Sequence, residues 1–448
     1  MQTLELVEIA EKAVNTAKKM GIEQAEAYVQ DAKSLTIEVS KQQVEDLKFS
    51  NKRGIGVRVI KQGKMGFAYT TDLSLEGIEN VVKESIIVLN YSTEDEYNTM
   101  PGVIQDYLDL DLYDDSIQLI SLEKKIDLAK QIEIAALEYD RRIKKTEKSV
   151  YQDAELEVAL VNSLGIHAHY KSNYCGGYAW LIAEQDGDVQ SGTGMNFTKK
   201  LEDLNPKNIG LEAAQKAVRM LNAKSVKTKR VPLIFDSYVV TNFLDLFASA
   251  VNAESVQKGK SLLSGKLGQK IVSEQITIID DGLMPNGLAT SIIDGEGVVP
   301  SKTVVIDKGR LISFLHNTYT AAKDGTKSTG NAVRGGFITT PEVGTTNFYL
   351  AEGTKNQEEI IQSINEGFYV TEIMGMHTAN PISGDFSLGA SGLWISKGEF
   401  SYPVRGVAIA GNVLELFNSV ESIGNDLRFF GSIGAPTVLF GKVTVSGK

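Results

Sequence analysis

The stretch Met374–Asn412 reads MGMHTANPISGDFSLGASGLWISKGEFSYPVRGVAIAGN. It sets His377, one of only four histidines in the chain, near Asn380, Asp385, Glu399 and Arg405 in a segment dense with glycine. Glycine and proline mark backbone positions that need special dihedrals or close approach, so polar side chains among them look placed rather than scattered. Ordinary core strands do not read this way. The segment is a catalytic site, a binding site or a tightly turned piece of scaffold.

The sequence around it is strand-rich and broken by Gly-containing turns: DDGLMPNG, IDGEG, DKGR and SKGE. VPLIFD reads as a buried strand, and helices are expected over 237–255 and 355–366. Upstream, AKSVKTKR at 223–230 is a short basic linker. The expected division is therefore 1–228, an N-terminal α+β domain, and 229–448, a large mainly-β domain. In the first, helices near 3–20, 74–91, 120–139 and 209–222 alternate with strand-like runs at 25–30 and 35–40 and later SVYQDA, LEVALVNS and GIHAHYKSNYCGGYAWLIAE. Arg53–Val59 and Lys64–Tyr69 read as a hairpin turning at Gln62-Gly63. Residues 92–116 are polar and aperiodic, which predicts an exposed connection. The recurrence predicts an open antiparallel sheet backed by helices, an α+β fold.

Composition narrows the function classes. With 448 residues the chain is too long for one ordinary core. Its 42% hydrophobic and 23% charged residues are those of a soluble globular protein. A net charge of −11 disfavours a broad nucleic-acid surface. No apolar run approaches the roughly 20 residues that span a bilayer. The N-terminal stretch is an amphipathic helix without the basic start and apolar core of a signal peptide. The single Cys175 excludes an intrachain disulfide and fits a reducing cytoplasm.

Several constellations have bland readings that outweigh the chemical ones. His167 and His169 share one strand face and could ligate a metal, but no third ligand follows at a recognisable spacing. His316 reads as a hydrogen-bonded residue at a strand end. Asp280, Asp281, Asp294 and Glu296 read as turn residues, since the longer ligand series of a calcium loop is absent. Cys175 lacks a nucleophile signature and reads as a small buried apolar residue. GASG at 389–392 is not a strand–turn–helix nucleophile elbow. The residues after the four histidines are Ala168, Tyr170, Asn317 and Thr378, so no H-E-x-x-H motif exists.

RGIGVRVIKQGKMGFAYTTDLS (53–74), STGNAVRGG (328–336), HTANPISGDFSLGASGLWISKGE (377–399), PVRGVAIAGN (403–412) and SIGNDLRFFGSIGAPTVLF (422–440) together resemble the TldD/PmbA family over nearly the whole chain. The resemblance implies the PmbA/TldE branch. The family's catalytic subunit is a zinc protease with an H-E-x-x-x-H helix before an R-K-G-type turn and a cysteine ligand near its C-terminus. Here the corresponding turn is Lys258-Gly259, which sets Leu244 and Ser249 at the histidine positions and Asp245 at the glutamate. Leu244 has no donor atom, and no His or Cys occurs anywhere in 230–300. The resemblance thus implies a subunit without zinc of its own, which pairs with a zinc-bearing TldD-type partner, encloses a chamber and holds extended peptides. Two other readings stand beside it: a peptide-binding homodimer without proteolytic activity, and a metal-free hydrolase using His377 with Asp385 or Glu399 as a base. On the first reading His377, Asn380, Asp385, Glu399 and Arg405 are a structural or substrate-facing signature.

Overall fold

The computed structural model describes residues 5–103 and 107–447. Helix α1 (Leu6–Lys19) buries Leu6, Ile9, Ala10, Ala13, Val14 and Ala17, the i, i+3, i+4 stripe of an amphipathic helix. Its expected start at residue 3 lies outside the described residues. Strands β1 (Gln24–Ser40), β2 (Gln43–Lys61) and β3 (Lys64–Thr70) follow. Gln62 and Gly63, at φ 50° and 73°, turn β2 into β3. The two short strands expected at 25–30 and 35–40 are one continuous β1. Its polar middle is carried by ladders on both sides, where Asp31 stands opposite Arg53 of β2 and Glu157 of β4.

Helix α2 (Leu75–Tyr91) is capped by Ser74, whose Oγ accepts from the Gly77 N–H at 3.1 Å. Then come α3 (Asp115–Leu119), α4 (Leu122–Tyr139), β4 (Ile143–Asn162), β5 (His167–Gln185), β6 (Asp188–Thr198) and α5 (Pro206–Arg219). The strands form one antiparallel sheet in the order β3-β2-β1-β4-β5-β6. The connection expected to be exposed over 92–116 is not wholly so. Met100 and Leu112 are buried, the Met100 N–H donates to Gln24 Oε1, and the Asn173 N–H donates to the Leu112 carbonyl. Residues 104–106 of that segment lie outside the described residues.

All of α1, α2, α4 and α5 cover one face of the sheet. Ala25, Ala27, Val29, Ile37 and Val39 of β1 point into apolar clusters beneath them. The opposite face carries Tyr28, Val158, Leu160 and Ala168, which pack against Ile293 and Phe337 of the second half. The period-2 alternation of β1 therefore serves two different cores.

The second half begins with β7 (Lys229–Phe235) and α6 (Ser237–Ala250), then α7 (Ala253–Gln257), so the single helix expected over 237–255 is broken. Asn252 causes the break by capping α7 with its side chain. Strands β8 (Ile278–Asp281), β9 (Lys302–Asp307) and β10 (Arg310–Leu311) are followed by a short ladder of β11 (Ala332–Val333) and β12 (Glu342–Val343). The remaining strands are β13 (Phe348–Leu350), β14 (Glu366–Met374), β15 (Asp385–Ser396), β16 (Glu399–Asn412), β17 (Val420–Ile423), β18 (Arg428–Phe430), β19 (Ile433–Ala435) and β20 (Val438–Ser446). One sheet runs β10-β9-β8-β13-β19-β18. The other runs β16-β15-β14-β7-β20-β17, and a further pairing of β16 with β20 closes it into a barrel. Helix α6 shares one core with both sheets: Phe243, Leu244 and Phe247 cluster with Phe235, Phe348 and Phe440. Among the described residues no helix is long and apolar enough to cross a membrane.

Candidate functional site

Helix α6 follows β7 directly. Its N-cap Asp236 accepts from the Tyr238 N–H at 3.1 Å and from the Tyr369 hydroxyl at 2.9 Å. Leu244 is 0% exposed within the apolar core, whereas Asp245 and Ser249 lie on the outward side of the helix. Positions five apart on an α-helix are separated by about 140° around its axis, which accounts for the split. A tetrahedral zinc site needs converging nitrogen, sulfur or oxygen donors. Leu244 supplies none and points away from Ser249, so these residues do not fit a zinc ion. Among the described residues no group of three or more His, Cys, Asp or Glu side chains is placed to hold a metal.

The glycine-dense segment lies next to this helix. Its apolar side, with Ala379, Phe386, Leu388 and Ala390, enters the same core, and the Phe386 ring meets Phe243 at 5.2 Å. Its polar side is a surface turn. Asn380 Oδ1 accepts from the N–H groups of Ile382 and Ser383 at 2.8 and 3.1 Å. Asp385 accepts from Ser383 Oγ at 2.8 Å and from Asn412 Nδ2 at 2.9 Å, and these bonds hold its carboxyl below the usual carboxylate range. Gly384, at φ 82°, completes the turn.

The remaining signature residues lie elsewhere. Glu399 stands opposite Ser396 across the Lys397-Gly398 turn, at the far end of the β15–β16 hairpin from the Asp385–Asn412 pair. Asp385 and Ser396 are eleven residue steps apart along β15, roughly 35 Å of strand. Arg405 lies within β16, but its side chain pairs outside the hairpin with Asp188, at the start of β6, at 2.9 Å. His377 sits in an exposed single turn, Met376–Thr378. The structure therefore brings Asn380 and Asp385 together and sets Glu399 and Arg405 apart. Glu399 cannot serve His377 as a catalytic partner over that span, and the Asp385 carboxylate is already occupied by Ser383 and Asn412.

The most demanding polar cluster was not singled out in the sequence. Arg58 of β2 donates to Glu26 of β1 through Nε at 3.2 Å and Nη2 at 2.9 Å, and to Glu296 through Nη1 at 3.0 Å. Arg334 also donates to Glu26, and its guanidinium lies 5.0 Å from the centre of the Tyr28 ring. Glu296 further accepts from the Thr318 N–H at 2.8 Å. Burial opposes the charge on Arg58, and Glu26 and Glu296 more than offset it. These residues join the sheet face of the first half to the second. The turn reading holds for Asp294, whose carboxylate accepts from the N–H groups of Glu296, Val298 and Ala332, but not for the fully buried Glu296. The available signal was a lone arginine between Val57 and Val59 in a strand. A cleft of about 330 Å³ opens beside this cluster, lined by Arg58, Asn98, Lys258, Tyr319 and Lys323.

The other candidates resolve simply. His167 contacts Glu11 at 2.9 Å and His169 contacts Glu157 at 2.8 Å, two separate surface pairs. His316 is hydrogen-bonded, as expected, through its backbone, to Thr329. Its buried Nδ1 has no partner, and burial pulls the imidazole below its ordinary pKa. Cys175 is buried under α4, where burial pushes its thiol up to about 12, against any nucleophilic role.

Comparison with known proteins matches this architecture along its length. The PmbA/TldA metallopeptidase models match as domain 1 over residues 25–88, as the central domain over 115–221 and as the C-terminal domain over 228–447. The metalloprotease PmbA homolog of Buchnera aphidicola (Baizongia pistaciae) is 31% identical over 86% of this chain and 84% of its own length. Metalloprotease PmbA of Escherichia coli O157:H7 is 29% identical over 90% and 87%. A crystal structure of a Thermotoga maritima protein of the modulator of DNA gyrase type superposes with a TM-score of 0.91 at 29% identity, covering 98% of this chain and 99% of that one. Two further matches carry the names TldD and TldE. They are a Buchnera TldD homolog (25% identical over 86% of this chain and 82% of its own length) and, as a likeness of fold, TldE of Thermococcus kodakarensis (TM-score 0.89, 24% identical, covering 98% and 99%). On the family models and the relatives together, the chain belongs to the PmbA/TldD metallopeptidase family.

Proposed function

We propose that this chain is the non-catalytic subunit of a TldD-type zinc metalloprotease, completing with its partner a chamber in which unfolded peptides are held and cleaved. The observation that carries the reading is α6: where the family resemblance sets the zinc-binding helix, this chain has Leu244 in the core and no converging donors. Relatives named TldD and TldE support a two-subunit family. The zinc belongs to the partner in this reading, and none of the chemistry passes through this chain. Its own contribution is to shape the wall and to grip extended backbone, since sheet edges bind N–H and C=O groups with little regard to side chains. The net charge of −11 suits a protein that binds no nucleic acid, and the working place is the cytoplasm.

The test is to co-purify the chain with a TldD-type subunit and to measure cleavage of an unfolded peptide with and without it, together with zinc content. Activity that appears only with both subunits, with zinc in the partner alone, is the expected result. A partner fully active by itself, or stoichiometric zinc in this chain alone, refutes the reading.

A further inference from the structure

Three buried residues of the first half carry a cation: Arg58, Lys125 and Lys199. Arg58 meets Glu26 and Glu296, and Lys125 meets Asp153 at 2.6 Å. Lys199 is only 3% exposed, yet among the described residues no carboxylate pairs with it. Its polar partner is a neutral one, Ser172, whose Oγ accepts from the Lys199 Nζ at 2.7 Å. Burial pulls the amine down to about 8, which still leaves it protonated at neutral pH. The adjacent Lys200 turns away and pairs with Asp111. An isolated buried charge is costly and is a recurrent mark of a functional site.

Ser172 shares the face of β5 that carries Ala168 and Tyr170, which pack with Ile292 and Ile293 of the second half. Further along that face, Tyr174 is 36% exposed and meets the Phe197 ring of β6 edge-on at 6.2 Å. Phe197 lies across Gly176, where any side chain would strike the ring. Phe197 and Lys199 are two residues apart, roughly 7 Å of extended chain. They reach Tyr174 and Ser172 respectively, so both lie over one face of the sheet. Phe197 also lines a mainly apolar cleft of about 290 Å³ between the halves, with Met195, Met284, Leu288, Phe429 and Phe430.

We propose that Lys199 and Ser172 hold the C-terminal carboxylate of a peptide whose last side chain is apolar and enters this cleft. The Lys199 ammonium supplies the opposite charge. Ser172 accepts from Lys199 and keeps its own O–H to donate. It is only partly buried, so the carboxylate reaches it from the open side beside Tyr174. Charge-assisted hydrogen bonds of this kind are roughly twice as strong as neutral ones. A sheet edge grips backbone anywhere along a peptide, whereas this pair fixes where the peptide ends. The inference rests on the peptide-holding role proposed above and adds an end preference to it.

The experiment measures binding of N-terminally labelled, unstructured peptides ending in phenylalanine to the full-length chain by fluorescence anisotropy, comparing the free acid with the C-terminal amide. The acid is expected to bind about tenfold more tightly than the amide. Replacing the last phenylalanine by serine is expected to weaken the acid severalfold, because the cleft is then unfilled. Lys199→Met removes the buried charge at similar volume and is expected to bring acid and amide to equal affinity by weakening the acid alone. Ser172→Ala, a smaller change, is expected to reduce the acid-to-amide ratio severalfold, and it carries the test if circular dichroism shows Lys199→Met to be unfolded. Equal affinity of acid and amide in the wild type, an unchanged ratio in the folded variants, or no binding of either peptide overturns the proposal. The ratio is read without the partner subunit, so it is separate from the cleavage assay. Partner-dependent cleavage with no end preference removes this inference and leaves the subunit reading intact.

Discussion

Two polar regions invite opposite first impressions. The turn around His377, Asn380 and Asp385 looks chemical in the sequence and is a solvent-exposed fold-back, hydrogen-bonded within itself. The cluster of Glu26, Arg58, Glu296 and Arg334 is inconspicuous in the sequence and lies buried between the two halves. Water can replace a lost partner in the first region and cannot in the second. Commitment of a polar group is therefore read from burial and satisfaction, not from the company it keeps in sequence.

The comparison can be broken where the effect is largest. Arg58→Ala leaves Glu26 and Glu296 buried with too few partners and is expected to cost about 3–5 kcal/mol in urea unfolding. A loss below 1 kcal/mol would mean that the cluster does not tie the halves together. Next comes α6. Replacing Leu244 and Ser249 together by His puts an imidazole into the aromatic core, with an expected loss of at least about 2 kcal/mol and no stoichiometric zinc by elemental analysis. Zinc binding with wild-type stability would show that position 244 can reach open space.

A smaller effect is expected at His316. Its folded pKa is depressed by burial, so the stability it permits is present above the unfolded value near 6.5 and is lost as pH falls through the folded pKa. Thermal melts at pH 7 and pH 5 should therefore differ more for the wild type than for His316→Phe. Equal differences would mean that the imidazole is not held neutral. Smallest is Arg405→Ala, which removes a half-exposed pair with Asp188 and should change stability within about 1 kcal/mol and leave partner-dependent cleavage intact. A severalfold loss of cleavage would return the signature segment to the working site.

The sequence was most legible where local chemistry acts alone. The amphipathic pattern of α1 and the Gln62-Gly63 turn follow from residues a few positions apart. The continuity of β1 does not, because ladders from both neighbours hold its polar middle. The role of Glu296 also escaped, because a DGEG turn is satisfied by Asp294 alone and nothing local announces that Arg58 lies across the interface. The missing donors at Leu244 were plain from residue types. That Leu244 is buried while Ser249 is outside required the helix to be placed against both sheets.

The barrel has a consequence for how the chain reaches its final form. Its closing strand, β20, follows every other described strand and pairs with β7, so that Val445 lies beside Lys229. During synthesis, the strands and helices of the first half have all emerged once α5 has cleared the ribosome. The second half must wait for its final strand, with Phe235, Phe243 and Phe247 already made and lacking their Phe440 neighbour. For most of that interval the nascent chain is a folded head trailing an apolar, unfinished ring. A chain cut before Val445 and Ser446, which pair with Ile409 and Ala408, would leave that ring open for the life of the molecule.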